Sequence, residues 1–180
     1  EGEATIMTYY RNNIAHLIAI PSLVSSFLQY NDEISEAELV QSASLLYPFI
    51  QSEFFLRWPA SLCTSTIEKS VATLVEQKLL VRNGENIARP GVADRLFPAT
   101  KILGRIIGST LERYAISTVL LSKYVGLGYI VRTDFESQCQ LMAQRISILN
   151  GSKDLDVFDK RVFRTYIDIL KDIDYVEQDE

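Results

Sequence analysis

The chain has 180 residues, of which 47% are hydrophobic, enough for one sizeable core or two small ones. Its net charge of −5 is uneven, because residues 151–180 hold nine acids against five bases. That leaves no basic stripe of the kind that counterion release from phosphates needs, so nucleic acid is not expected as a partner. The two cysteines, Cys63 and Cys139, fit no metal or redox spacing and read as buried free thiols.

From Met7 to about Tyr30, Ile14, Leu17, Ile18, Leu23, Phe27 and Leu28 recur at helical spacing, with Pro21 in the middle. This predicts two helical pieces or one kinked helix. No Asp, Glu, Lys or Arg lies between Asn12 and Asn31, a length sufficient for a membrane span. Asn13, His16, Ser22, Ser25, Ser26 and Gln29 make it too polar for a lipid-facing helix, and a buried helix is favoured over one lying on a membrane surface.

Ser35 followed three residues later by Glu38 has the form of a capping box and predicts a helix start. This second helix directs Leu39, Ala43, Leu46 and Phe49 to a core; it is expected to be interrupted near Pro48, to resume through Phe54 and Phe55, and to stop by Pro59. A third helix runs from Thr64 or Ser65 through Ile67, Val71, Leu74 and Val75 to about Lys78. Two short strands around Asn83-Gly84 follow, joined by a type I′ turn. Helix and hairpin together, over about residues 60–92, outline a winged-helix-like unit.

After Pro90-Gly91 a long helix is expected from about Ala93 to Lys123, with Gly104 and Gly108 one turn apart as a close-packing face between soluble helices. Further helices are expected over about Phe135–Leu149, stopped by Asn150-Gly151, and over about Asp156–Asp172 with a buried stripe of Phe158, Val162, Tyr166, Ile169 and Ile173. The fold class is therefore mainly α: a multi-helix domain with one short β-hairpin in a winged-helix-like unit.

Chemistry is tightly restricted. With one histidine, any Ser-His or Cys-His nucleophile must use His16, whose ordinary reading is a buried, hydrogen-bonded structural residue. His16, Cys63 and Cys139 are too scattered to make a zinc site, and Gly126-Leu127-Gly128 lacks the third glycine and the lysine of a phosphate loop. No cofactor, metal or catalytic residue is assigned.

The run from Thr8 to Ile14 (Thr-Tyr-Tyr-Arg-Asn-Asn-Ile), followed by His16 and Pro21-Ser22-Leu23, closely resembles a segment of membrane-bound glycerol-3-phosphate acyltransferases. Matching segments follow in the same order: Tyr47-Pro48, Glu53 to Trp58, Arg113 to Ile116, Leu120-Leu121, Gln144-Arg145, Ser147, Leu149, Gly151, Phe158 to Lys160 and Val162-Phe163. In that family these segments lie downstream of the catalytic motifs. The family's signature is a histidine and an aspartate separated by four residues, and here the residue five beyond His16 is Pro21. The family's glutamate-glycine phosphate motif is absent as well.

The resemblance implies that residues 1–180 are the C-terminal helical domain of a longer acyltransferase whose catalytic domain lies upstream, in keeping with a chain that opens Glu1-Gly2. It implies a parent that moves a fatty acyl group from acyl-carrier protein or acyl-CoA to position 1 of sn-glycerol 3-phosphate, the first step of phospholipid synthesis. The implied location is the cytoplasmic face of the cell membrane, peripheral or monotopic, with the membrane surface as a further partner. Tyr10, Arg11, Asn12, Asn13 and His16 are the candidates for contact with the catalytic domain or the vicinity of its substrate. The alternative is a winged-helix-type binding or regulatory module without enzymatic activity.

Overall fold

The computed structural model describes residues 16–125, 128–149 and 160–177. It divides into two compact units, Glu1–Gly108 and Ser109–Glu180.

In the first unit, residues 16–26 form helix α1, which runs on through Pro21 as one helix. Ala19, Ile20, Leu23, Val24 and Leu28 are buried, as are Ser22 and Ser25. The described part of the uncharged stretch thus contains a largely buried helix, although Leu17 at its start is 66% exposed. Strand β1 (Glu33–Ser35) leads directly into α2 (Glu36–Phe54). Ser35 caps that helix by accepting the Glu38 amide at 3.1 Å, as the box predicts.

Pro48 does not interrupt α2. Its missing amide removes one rung of the ladder, but Ala43, Tyr47 and Ile50 on either side are fully buried and hold the helix to the core. The Tyr47 hydroxyl and the Gln51 amide both donate to the Trp58 carbonyl, at 2.9 and 2.6 Å, so the chain beyond the helix is fastened back to it.

A 3-10 turn (Ala60–Leu62) opens into α3 (Cys63–Glu76), which packs on α2 through Ile67, Val71 and Leu74. Strands β2 (Val81–Asn83) and β3 (Asn86–Ala88) then form the hairpin. Because Asn83 pairs with Asn86, the turn residues are Gly84 and Glu85, and Gly84 alone has positive φ, +62°. This is the type II′ pattern with glycine first, not the type I′ turn centred on Asn83-Gly84.

The sheet has a third strand that the hairpin signal does not include: β1 pairs antiparallel with β3, giving the order β1-β3-β2. Helix, strand, two helices and a hairpin whose second strand lies between its partners is the winged-helix arrangement, so its elements begin well before residue 60. The Glu36 amide donates to the Glu85 carbonyl at 2.9 Å, and Arg82 grips the Glu36 carboxylate with both terminal nitrogens, one at 2.9 Å.

The long helical region expected over 93–123 is two helices, α4 (Phe97–Arg105) and α5 (Gly108–Ser122). Ser22 explains the break. Its hydroxyl donates to the Leu103 carbonyl at 2.7 Å and accepts the Ile107 amide at 3.3 Å, diverting both groups from the helical ladder. Gly104 packs as predicted, since a Cβ there would lie 2.8 Å from the Ser25 carbonyl oxygen. Gly108 has open space around it.

The second unit contains α5, α6 (Arg132–Leu149) and α7 (Lys160–Asp172). Ile116, Leu120, Phe135, Cys139, Ala143 and Phe163 form its core. Tyr114 stacks on Tyr166 with centroids 5.8 Å apart, and the Tyr166 and Thr118 hydroxyls share a hydrogen bond of 2.7 Å. Tyr166 and Ile169 are buried as the stripe predicts, but Phe163 is also fully buried and Ile173 only half so. Phe158 lies outside the described residues.

The two glycines provide a test. Gly104→Ala must push against the Ser25 backbone and should destabilise the protein by about 1–3 kcal/mol. Gly108→Ala should be neutral or stabilising by up to ~1 kcal/mol. Urea unfolding midpoints of the two variants check both signs.

Candidate functional site

Of the residues assigned from sequence, Tyr10, Arg11, Asn12 and Asn13 lie outside the described residues. His16 is described and is exposed at the start of α1, which corrects the expectation of a buried histidine. The burial of α1 begins one turn later, at Ala19, so position 16 precedes the packed face.

Several other polar side chains are committed to the fold, among them Ser22, Tyr47, Gln51 and Thr100. An open groove of about 630 Å³ between α2 and α3 is lined by Glu36, Val40, Ser44, Leu45, Thr64 and Glu68, among others. Two carboxylates on its walls make it a poor seat for a phosphorylated or otherwise anionic ligand. On α3, the exposed charges are Glu68, Lys69 and Glu76, and Arg82 of the hairpin is paired with Glu36. That surface offers little to a phosphate backbone. Among the described residues, no group of three or more His, Cys, Asp and Glu side chains could hold a metal ion.

The second unit contains a charged cluster that sequence reasoning missed. Glu136 is 6% exposed. Arg132, one turn away on α6, reaches it at 3.2 Å, and Arg164 of α7 reaches it at 3.4 Å. Arg132 also pairs with Asp168 at 2.7 Å and donates to the Arg164 carbonyl at 3.4 Å. The signal was present: Arg132 with Glu136 and Arg164 with Asp168 are both spaced four apart, which puts each pair on one helix face. With its oxygens occupied by two guanidinium groups, Glu136 acts as a clamp between α6 and α7 and is poorly placed for general acid–base work.

The buried cysteine offers no nucleophile either. Cys139 is fully buried, and burial, opposed by its hydrogen bond with Ser117 and reinforced by the charge of Glu136, pushes its thiol up to about 11. Cys63 is only half-buried, short of the full burial expected for it.

The family described as the C-terminal region of glycerol-3-phosphate acyltransferase matches residues 1–179. The chain belongs to that family. Curated relatives named glycerol-3-phosphate acyltransferase agree with this. Those of Pseudomonas aeruginosa LESB58 and Ectopseudomonas mendocina ymp are each 37% identical over 180 residues, all of this chain and 22% of the relative. That of Pseudomonas savastanoi pv. phaseolicola 1448A is 38% identical over 179 residues, 99% of this chain and 21% of the relative. The chain therefore spans about a fifth of the length of the curated relatives it matches. No solved structure matches it.

In this acyltransferase C-terminal region, the described residues that carried the resemblance divide between packing and surface positions. Tyr47, Leu56, Arg113, Tyr114, Leu120, Ser147 and Phe163 are all buried. His16, Phe55, Arg57, Ala115, Arg145 and Leu149 are exposed.

The state of Cys139 is measurable. In the folded protein iodoacetamide should modify Cys63 and leave Cys139 untouched through pH 9, with Cys139 reacting only on unfolding. A thiol whose folded pKa is raised adds stability that is fully present below its unfolded pKa and is lost as pH rises through the folded value. Stability should therefore fall between about pH 9 and 11, by on the order of 2 kcal/mol. Urea melts across that range should show a shallower alkaline loss in Cys139→Ala.

Proposed function

We propose that this region is a non-catalytic supporting domain of a glycerol-3-phosphate acyltransferase, holding the upstream catalytic domain in its working geometry. The parent would transfer a fatty acyl group from acyl-carrier protein or acyl-CoA to position 1 of sn-glycerol 3-phosphate. The observation that carries this reading is the commitment of the polar groups to the fold. Ser22, Tyr47, Gln51 and Thr100 bridge backbone segments, and Glu136 is clamped by arginines. What the described surface offers is contact area, not an acid–base pair. Held well, a domain of this kind acts through orientation, since a misplacement of about 1 Å at a reacting group can cost on the order of 100-fold in rate.

The parent would work at the cytoplasmic face of the cell membrane, as a peripheral or monotopic protein producing a membrane lipid precursor. No helix among the described residues is long and apolar enough to cross a membrane. A second reading, a winged-helix binding module without enzymatic activity, is favoured by the strand order β1-β3-β2. The charge balance of α3 then points to protein over nucleic acid as what it binds.

Acylation of glycerol 3-phosphate by the isolated region, by the full-length parent and by the parent lacking this region tests the proposal. The isolated region should be inert, and its removal should lower the parent's rate on the order of 100-fold. Lysophosphatidic acid made by the region alone would overturn the supporting role, and full activity of the truncated parent would leave only the binding-module reading.

A further inference from the structure

Helix α2 ends in an unusual way. Its terminal position, Phe55, has φ 51° and ψ 47°, the left-handed conformation that glycine or asparagine ordinarily supplies. A bulky side chain there stores on the order of 1–3 kcal/mol of backbone strain. Among the described residues, the other non-glycine positions with positive φ are Lys78 and Asp174, whose charged side chains are at home in water. Phe55 gains nothing comparable: its ring is 91% exposed. Neither backbone preference nor core packing accounts for phenylalanine at this position.

The segment around it is rigid. The Leu56 amide donates to the Gln51 carbonyl at 3.0 Å, the Leu56 side chain is buried, and the Trp58 carbonyl is held by Tyr47 and Gln51. On this platform the Arg57 guanidinium lies 4.6 Å from the centroid of the Trp58 ring, and Leu62 is 47% exposed a few residues on. Phenylalanine, tryptophan and arginine are the residues enriched where proteins meet, and an arginine stacked on a ring gives up less freedom on binding than a loose one. A rigid surface also avoids the entropy of ordering a loop on association.

We propose that exposed Phe55, with the Arg57–Trp58 pair and Leu62 next to it along the chain, is the docking face for the upstream acyltransferase part of the same polypeptide. This rests on the supporting-domain reading and names its contact. The occupant follows from length and charge. The matched relatives are nearly five times as long as this chain, so most of the parent's surface lies outside it. Attraction to an anionic bilayer draws on clusters of 4–8 Lys and Arg by the usual measure. The stretch from Gln51 to Leu62 instead carries Glu53 and Arg57 and is neutral overall. That balance suits a protein surface better than a lipid one.

The test uses the full-length parent in its membrane fraction, with benzoylphenylalanine placed at position 55 for photo-cross-linking and mass spectrometric mapping. The expected product joins position 55 to a peptide from the upstream part of the same chain. Phe55→Gly is the companion variant, because glycine relieves the left-handed strain and should leave the region folded or more stable, as a melt of the region will report. It should lower the parent's activity about tenfold, the loss of one interface anchor. Cross-linking to lipid, to a second copy, or to nothing would overturn the docking face, as would unchanged activity in Phe55→Gly. If truncation of the region abolishes activity while these results are negative, the supporting role stands and the contact lies elsewhere; if the isolated region acylates glycerol 3-phosphate, the supporting role itself fails.

Discussion

The close passage of α4 across α1 sets the plan of the first unit. Gly104 lets the two backbones meet where any side chain would strike the Ser25 carbonyl, and Ser22 fills the remaining polar need by taking one donor and one acceptor from the end of α4. A hydroxyl buried at this position is tolerable only because both of its bonding roles are used. The same two bonds end α4 at Arg105 and let the chain restart as α5. At the other end of the unit, the Thr100 hydroxyl donates to the Leu79 carbonyl at 2.6 Å and ties α4 to the exit from α3. Ser22, one of the polar residues that made the early uncharged stretch unsuited to lipid, is therefore what welds it into a protein interior.

Features that depend on neighbours in the chain were legible in the sequence. Ser35 and Glu38 marked the start of α2, and Ile67, Val71 and Leu74 marked the buried face of α3, because capping and helical periodicity are local. Features decided by distant partners were not. Pro48 looked like a break because the ladder loses a rung there, yet the bonds from Tyr47 and Gln51 to Trp58 hold the helix through it. The long helix over 93–123 looked continuous because nothing in its own sequence announces that Ser22, more than 80 residues earlier, will capture its hydrogen bonds. Strand β1 has only three residues and begins with a charged one, too short to show alternation, and it exists because β3 offers it an edge.

The site was legible at a coarser level. Family membership could be read from ordered segments along the whole chain, but the described residues of those segments mix buried and exposed positions and single out no site. His16 was misjudged because helical spacing gives which side chains share a face and not where along the helix burial begins. The Arg132, Glu136, Arg164 and Asp168 cluster was half visible as two spacings of four; that the two pairs face one another depends on how α6 and α7 pair. Phe55 carried no local signal at all, since a phenylalanine after a helical run reads as more core.

The supporting role proposed above requires stiffness at the contact, because a contact that orients a catalytic group transmits only as much order as it possesses. The α2 terminus has the required stiffness. Two donors converge on the Trp58 carbonyl, Leu56 is anchored by both side chain and amide, and the left-handed turn at Phe55 leaves the backbone one narrow conformational well. Replacing that phenylalanine by glycine would improve the helix end taken alone. A locally unfavourable, solvent-exposed phenylalanine is what the proposed docking face requires, since there function and the stability of the isolated fold would pull in opposite directions.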